Sequence, residues 1–411
     1  MLQGDLDVGP LEAIRRASKQ LVEAHESQSA QHFAGRTIHL PAQLCSDVVA
    51  PLIGHLSAAP QVEAISHMWL SSFSRRNQVQ LTPGTVAAHL AVRAMQVSPE
   101  EALSELNELA QLNKANARVT AIIAGIKVDE PIKLADDIQI IPFDYAQLPT
   151  GVTSVRRPLP GDIVDHFAPS PSGFLTLDFS YSPVFELSKA SPEPLPDDKI
   201  GRLASTADRL AVISNHEVAV LEMWIAPHDQ RLPADLGWLT FRDPSWGTGP
   251  VLGEIDLERE TALEFLKNCE QFGRKREWDT LELSMSRFNR SRRSIHPEDR
   301  AIDLGTILEV LLMHDSSASD TNNEISFKLG IRGAWLLEAS LENRKRLFDQ
   351  IRKLYSKRSK AVHRGRLKPS ADPVDDWVEL EADSLLISRL ITRIVTRGKF
   401  PDWTTLVLGG E

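Results

Sequence analysis

The chain has 411 residues, of which 42% are hydrophobic and 25% charged, and its formal net charge at pH 7 is −10. This composition is typical of a globular protein of two or three domains, and it excludes a disordered chain or a uniformly basic one. The two cysteines, Cys45 and Cys269, lie far apart in the sequence, which excludes a disulfide framework and a cysteine-based zinc site.

No segment of the sequence has the properties of a membrane anchor. The first residues carry acidic side chains and lack the apolar core of a secretory signal. The longest apolar helical stretch, residues 385–395, is interrupted by Arg389 and Arg393, so it cannot span a bilayer. We therefore expect a cytoplasmic protein with no membrane partner.

Helical periodicity dominates residues 1–115. Leu11 and Ile14 begin an apolar stripe with helical spacing. Further along, Ser98 is followed by Pro99 and by Glu101 at the capping-box position, which is the pattern of a helix start. The sequence therefore predicts a helical N-terminal region over residues 1–115.

The period changes after this region, and residues 116–255 are predicted to form a β-rich domain. Strand composition is found over residues 118–123, 137–141, 173–179 and 218–225. Proline is frequent between these runs, which favours turns and edge strands and predicts a loop near residues 189–200. A second loop is expected at residues 243–250, where the domain ends.

Helical periodicity returns over residues 256–411 and predicts an all-α bundle with short connections. The expected helices include a short apolar one at 302–313 and longer ones at about 324–338, 342–364 and 375–397. The fold class predicted for the whole chain is therefore a multidomain α+β protein: a helical N-terminal region, a β-rich domain and a C-terminal helical bundle.

Positive charge is concentrated in residues 341–370, although the chain as a whole is acidic. This segment has eleven Lys and Arg residues against two acidic ones, a local net charge of +9. Such a cluster indicates either a binding site for a polyanion or an ordinary solvated helix face. Four members are candidate phosphate contacts, with solvation as the alternative: Lys353, Lys357, Lys360 and Arg364.

Arg358 and His363 lie within this basic segment and are the main candidate catalytic pair. An arginine stays charged and a histidine titrates near neutral pH, which are the two properties that metal-free RNA cleavage requires. Five positions along an ideal helix rotate a side chain by about 140° from its start, so the two would not share a face of one straight helix. They can be brought together if the last turn before Gly365 loosens, or if a second copy of the helix supplies the complementary group.

The surrounding residues give this pair its context. Tyr355, Arg358-Ser359, Val362-His363 and Gly365 follow one another, with Arg364 inserted before the glycine. This pattern resembles the signature of the HEPN superfamily, and most closely its ApeA-like branch. Segments 286–290, 303–312 and 323–334 look like that branch's earlier helices, so the resemblance covers roughly residues 257–400.

The resemblance implies a HEPN-type helical bundle that acts as a metal-independent RNA endonuclease. The substrate's own 2′-hydroxyl would attack the phosphorus, leaving a 2′,3′-cyclic phosphate and a 5′-hydroxyl, with His363 transferring a proton and Arg358 binding the phosphate oxygens. No cofactor or metal is expected. The implied partners are RNA, with tRNA among the candidates, and a second copy of the chain in a homodimer through the C-terminal bundle.

Several other residues could support this pair. Tyr355 lies one helical turn before Arg358 and can orient it or simply pack, and Ser359 is the polar residue of the signature. Three acidic positions match the family's earlier helices: Asp303, Glu309 and Glu324. One of them could hold Arg358 or His363. The alternatives are helix capping by Asp303 and Glu324, and for Glu309 an ion pair with Arg287 or Arg332.

Proteins with this resemblance are commonly toxins or effectors of bacterial antiviral defence, acting by abortive infection. The first 255 residues would then act as sensors or regulators of this activity. The alternative is a HEPN fold that binds RNA or a partner protein without cutting it.

Overall fold

The structure is a computed structural model that describes residues 9–27, 45–56, 69–71, 78–109, 114–148, 170–181, 184–186, 197–227, 231, 239–241, 253–272, 275–314, 325–367 and 373–409. The loops expected at residues 243–250 lie outside the described residues, as does Glu324.

In the described residues of the N-terminal part, four helices share one core. They are α1 (Pro10–Ser27), α2 (Ala50–Leu56, preceded by a π-helical turn, Cys45–Val49), α3 (Pro83–Gln96) and α4 (Pro99–Leu109). The Ser98 hydroxyl accepts a hydrogen bond from the Glu101 backbone N–H at 3.1 Å, as the helix-start pattern predicts. Ile14, Leu52 and Leu90 are fully or almost fully buried in the shared core.

Two short strands within this part were not predicted. β1 (Trp69–Ser71) pairs antiparallel with β2 (Gln78–Gln80) and also with β8 (Val184–Glu186), forming a three-stranded sheet in the order β2-β1-β8. The expectation of a purely helical region over residues 1–115 is therefore incomplete. Segments of three residues are too short to show a period, and one of the partners lies more than 100 residues away along the chain.

Among the described residues, the central sheet has six strands, all paired antiparallel. They are β3 (Ala115–Ala124), β5 (Ile132–Lys133), β6 (Ile138–Pro142), β7 (Gly173–Tyr181), β9 (Ala219–Pro227) and β10 (Leu239–Phe241), in the order β10-β9-β3-β7-β6-β5. β4 (Ile126–Lys127) pairs separately with β11 (Ile255–Asp256). The four strands predicted from composition are confirmed.

One helix, α5 (Asp197–Ser214), covers one face of this sheet. Residues 189–200 were predicted as a loop, but the helix already begins at Asp197, so that prediction is wrong at its C-terminal end. Leu203 and Leu210 are fully buried against the sheet. The opposite face carries an aromatic cluster in which the rings of Phe174 and Trp224 meet edge to face, with 5.9 Å between centroids.

The C-terminal part is a helical bundle of α6 (Arg259–Glu270), α7 (Lys275–Arg292), α8 (Pro297–Leu312), α9 (Ile325–Leu337), α10 (Leu341–Arg364), α11 (Pro373–Arg397) and α12 (Trp403–Val407). The helices predicted at 324–338, 342–364 and 375–397 are confirmed to within two residues. α8 is the most buried of these helices because apolar residues lie on all its faces. It contacts α7, α9, α10 and α11.

Buried polar contacts join the bundle to the sheet domain. The Asn289 side chain on α7 donates to the Val218 carbonyl at 2.8 Å and accepts from the Val218 N–H at 3.0 Å. The Ser388 hydroxyl on α11 donates to the Val212 carbonyl at 2.7 Å. The chain is therefore a mixed α+β protein with a small antiparallel sheet and a C-terminal helical region. Across the described ranges, every helix is too short or too polar to cross a membrane.

Candidate functional site

The helix α10 carries both members of the candidate pair, and it is regular from end to end. The Ser340 hydroxyl accepts from the Asn343 N–H at 3.3 Å and caps its start. Gly365 ends it in the left-handed conformation (φ 65°), and its N–H donates to the Ala361 carbonyl at 2.9 Å. The last turn is thus intact, and the loosening that could bring His363 towards Arg358 within one chain is not observed.

Arg358 lies at a close contact between α10 and α8. Gly305 faces it across this contact, and a Cβ atom added there would lie 2.4 Å from the Arg358 Cβ and 2.6 Å from its Cγ. Only a residue without a side chain leaves room for the stem of Arg358 at this distance. The guanidinium is therefore fixed by backbone packing as well as by its own partners.

Glu309, one turn further along α8, holds the head of Arg358. Its carboxylate accepts from Arg358 Nη2 at 3.2 Å and from the Tyr355 hydroxyl at 2.7 Å. Burial first, and then the Glu309 carboxylate, raise the pKa of Tyr355 to about 12, so this hydroxyl remains a donor at neutral pH. The Tyr355 ring also lies 5.8 Å from the Arg358 guanidinium carbon. The three side chains form one group in which Glu309 orients Arg358.

This arrangement corrects the partners expected for Glu309. Neither Arg287 nor Arg332 pairs with it. Arg287 donates to Asp303 at 3.1 Å, and Arg332 donates to the Leu312 carbonyl at 2.6 Å. The expectation that one of the acidic positions could hold Arg358 is met by Glu309.

Asp303 has a different role. It lies in the middle of α8, so helix capping is wrong for this residue. Its buried carboxylate binds Arg287 and Arg290 of α7, the second through two N–H groups. Asp303 therefore joins α7 to α8 and contacts neither candidate catalytic residue among the contacts that the structure shows.

His363 points away from the group around Arg358. Its side chain is exposed, and the described part of the chain offers it no hydrogen bond or ion pair. The angle of about 140° between the two residues follows from the unbroken helix. Ser359, between them, is half-buried. A single chain thus presents a fixed arginine and, on another face, a histidine accessible to solvent.

The basic segment divides into paired and exposed cations. Lys357 is bound to Glu379 and Asp383 of α11, each at 2.8 Å, and its side chain is only 19% exposed. Burial by itself would lower the pKa of Lys357, but the carboxylates of Asp383 and Glu379 together outweigh it, so the pKa is raised above its ordinary value. Lys357 is therefore engaged within the bundle. Lys353, Lys360 and Arg364 are exposed and remain available to a polyanion.

Two features of this site were missed in the sequence. One is Gly305, whose position inside an apolar helix was the available signal for a close helix contact. The other is the acidic pair Glu379 and Asp383, which the four-residue spacing places on one helix face. Among the described residues, no three His, Cys, Asp or Glu side chains are grouped so that they could hold a metal ion.

Comparison with known proteins adds no relative. No family model matches the chain, and no curated protein or solved structure is significantly similar to it.

Proposed function

We propose that the C-terminal bundle is a metal-independent RNA endonuclease of HEPN type. The observation that carries this proposal is the group around Arg358: a permanently charged guanidinium, oriented by Glu309 and Tyr355. The same helix carries an exposed histidine and several exposed cations, among them Lys353, Lys360 and Arg364. The resemblance of residues 257–400 to the HEPN superfamily supports the same chemistry.

In the proposed reaction the ribose 2′-hydroxyl attacks the adjacent phosphorus. His363 takes the 2′ proton as the new P–O bond forms, and the bond to the 5′-oxygen breaks. The partner's His363, acting as the acid, gives that oxygen a proton as it leaves, which yields a 5′-hydroxyl and a 2′,3′-cyclic phosphate. Arg358 donates to the non-bridging oxygens, whose negative charge grows in the transition state. Glu309 prevents the arginine from reorienting and so lowers the cost of reaching this geometry.

A homodimer completes this site in the proposal. The reaction needs one base and one acid, and each chain offers one histidine at this position. A two-fold axis next to the C-terminal end of α10 would supply the second His363 and a second Arg358. The exposed residues Lys360 and Arg364 would then surround the scissile phosphate. Mutual repulsion of the two basic segments is a cost that bound RNA offsets.

The biological role proposed with this activity is that of an effector in bacterial antiviral defence. A nuclease that cuts cellular RNA harms its own host, so its activity must be controlled. The sheet domain and the N-terminal helices, which precede the bundle, are suited in position to exert that control. RNA is the proposed partner, and the protein would bind it in the cytoplasm.

The test is expression of the wild type beside His363→Ala and Arg358→Ala, with total RNA integrity and growth as readouts. His363 is exposed, so its substitution is expected to leave folding unchanged while abolishing cleavage. Purified protein should also cut RNA in the presence of a chelator, and the ends should be 2′,3′-cyclic phosphates. Loss of all cleavage in chelator, restored by magnesium, would contradict the mechanism.

The second candidate function is binding without cleavage. The observation that favours it is the separation of Arg358 from His363, since one chain alone does not place them around a common phosphate. A binding module would retain RNA affinity, with a salt dependence set by Lys353, Lys360 and Arg364. In that case, RNA would be equally intact in cells that express the wild-type chain and in cells that express His363→Ala.

A further inference from the structure

A cavity of about 510 Å³ lies at the junction between the sheet domain and the bundle, away from α10. Its volume is within the roughly 300–1,000 Å³ typical of small-molecule sites. The lining comes from the turn before β9, from the C-terminal end of α7 and from α8 and α11. The residues that matter for its chemistry are Glu217, Arg292, Arg293, Arg300, Trp377 and Glu381.

Two of its arginines are almost completely withdrawn from water. The Arg292 side chain is 7% exposed and that of Arg300 is 3% exposed. Both guanidinium groups share a single carboxylate: Glu381 accepts from Arg292 and, at 2.7 Å, from Arg300. Arg300 also donates to the Ser384 hydroxyl at 2.9 Å. Each guanidinium has five N–H donors, so these contacts leave donors for another acceptor.

Each of these two arginines keeps an unused donor. Glu217 also lies 3.8 Å from Arg292, but the buried Nε–H groups of Arg292 and Arg300 have no hydrogen-bond acceptor among the described residues. Burial, and next the neighbouring charge of Arg292, lower the pKa of Arg300. An anion that entered the cavity would accept from these Nε–H groups and ease the repulsion between the two neighbouring guanidinium groups. The paired, planar donors of arginine match the oxygens of a phosphate group.

An aromatic wall stands beside the arginines. Trp377 lines the cavity, and its ring centroid lies 5.7 Å from the guanidinium carbon of Arg300. Ile295, a residue that is 56% exposed, adds an apolar surface. A tryptophan face next to a cationic group is suited to a flat heteroaromatic ring that is joined to an anion.

We propose that this cavity binds a nucleotide, with its phosphate at Arg292 and Arg300 and its base against Trp377. The ligand would lie between the sheet domain and the bundle and contact both. Because Arg300 is on α8, the same helix that carries Gly305 and Glu309, the bound nucleotide would also contact the helix that positions Arg358.

The experiment measures the binding of small ligands to the full chain by calorimetry and by the shift in Tm. The probes are the four nucleoside 5′-monophosphates, the corresponding nucleosides and inorganic phosphate. At least one nucleotide is expected to bind with a stoichiometry near one per chain, and roughly tenfold or more tightly than its nucleoside or phosphate alone. If no nucleotide binds, or if phosphate alone binds as tightly, the proposal is overturned.

Two variants locate the ligand. Trp377→Leu should weaken nucleotide binding about tenfold and leave phosphate binding unchanged, because it removes the stacking surface alone. Trp335→Leu is the matched control, since Trp335 is also a half-buried tryptophan beside an arginine, Arg344, but lies on α9. Equal losses in the two variants would contradict the assignment.

A third variant separates this site from the proposed RNA site. His363→Ala should bind the nucleotide with unchanged affinity, whether or not the wild type cuts RNA. If His363→Ala loses nucleotide binding while Trp377→Leu retains it, the nucleotide occupies the face of α10 and the cavity is not its site.

Discussion

The contact between α8 and α10 can be tested at Gly305, where a single added methyl group should disturb both stability and activity. In Gly305→Ala the new Cβ would lie 2.4 Å from the Arg358 Cβ. Carbon atoms in favourable contact are about 3.5–4.0 Å apart, so the methyl group is about 1 Å too close. The Arg358 Cβ is attached to the helix backbone and cannot rotate away, and therefore α10 must move.

The expected magnitude combines two opposing effects. Overpacking a core contact costs about 1–3 kcal/mol, whereas replacing glycine by alanine inside a helix gains about 0.5–1 kcal/mol. Gly201→Ala is the matched control, because Gly201 lies in α5 and an added Cβ there meets nothing within 4 Å. The control should be stabilised by the helix gain alone. The difference between the two variants isolates the overpacking cost at about 1–3 kcal/mol.

Urea unfolding of both variants gives the free energy of unfolding, and RNA cleavage gives the effect on Arg358. A shift of α10 would lengthen the 3.2 Å contact between Arg358 and Glu309, so we expect cleavage to fall at least tenfold in Gly305→Ala and to be unchanged in Gly201→Ala. If Gly305→Ala were stabilised as much as the control, the close helix contact would be refuted.

Two further predictions concern buried charges. Burial raises the pKa of Asp208 to about 6, above its ordinary 3.8, so the folded state holds an extra proton and stability is lost as pH rises from about 4 to 6. Asp208→Asn, whose side-chain oxygen can still accept from Asn289, should remove this loss, which amounts to about 2 kcal/mol between pH 4.5 and 7. Urea unfolding at these two pH values measures the loss, and an unchanged pH dependence would contradict the prediction. Lys357→Glu should destabilise the bundle by about 3 kcal/mol because it places a carboxylate beside the buried Asp383. Lys360→Glu should leave the stability unchanged and should flatten the salt dependence of RNA binding. An equal effect of the two lysine variants on stability would show that Lys357 is not engaged as the structure has it.

The sequence predicted the bundle well because its helices carry their own end signals. Ser340 and Gly365 mark the limits of α10, and the apolar period between them is unbroken. The helix α5 was missed although Leu203 and Leu210 have helical spacing, because the proline-rich residues before Asp197 indicated a loop. The proline-rich composition favoured a loop in the prediction, whereas packing of the leucines against the sheet stabilises a helix.

The partner of Glu309 could not be predicted for a different reason. Which arginine it meets depends on how closely α8 and α10 cross, and this is decided by Gly305 together with the packing of α9, where Gly333 faces Ile351. Such distances arise from three helices at once and leave no local pattern in the sequence. The pairing of Lys357 with Glu379 and Asp383 of α11 likewise depends on how the helices pack and leaves no local pattern in the sequence.

A mixture of two inactive chains can distinguish a shared site from a self-contained one. Arg358 and His363 are about 140° apart on one regular helix, so a single α10 does not bring them to one phosphate, and the partner chain must contribute if cleavage occurs as proposed. Chains carrying Arg358→Ala and chains carrying His363→Ala would be coexpressed with different tags, and the mixed dimer isolated on both tags.

The mixed dimer contains one intact Arg358 and one intact His363, on different chains. A shared site that takes Arg358 from one chain and His363 from the other should therefore keep a defined partial activity above that of either parent homodimer, with water protonating the leaving oxygen more slowly in place of the second His363. If each site were formed within one chain, no site in the mixture would have both residues, and its activity would not exceed the mean of the parents. A chain that remains monomeric at working concentration and still cuts at the full rate would also refute the shared site, since the second His363 would then be unnecessary for protonating the leaving oxygen.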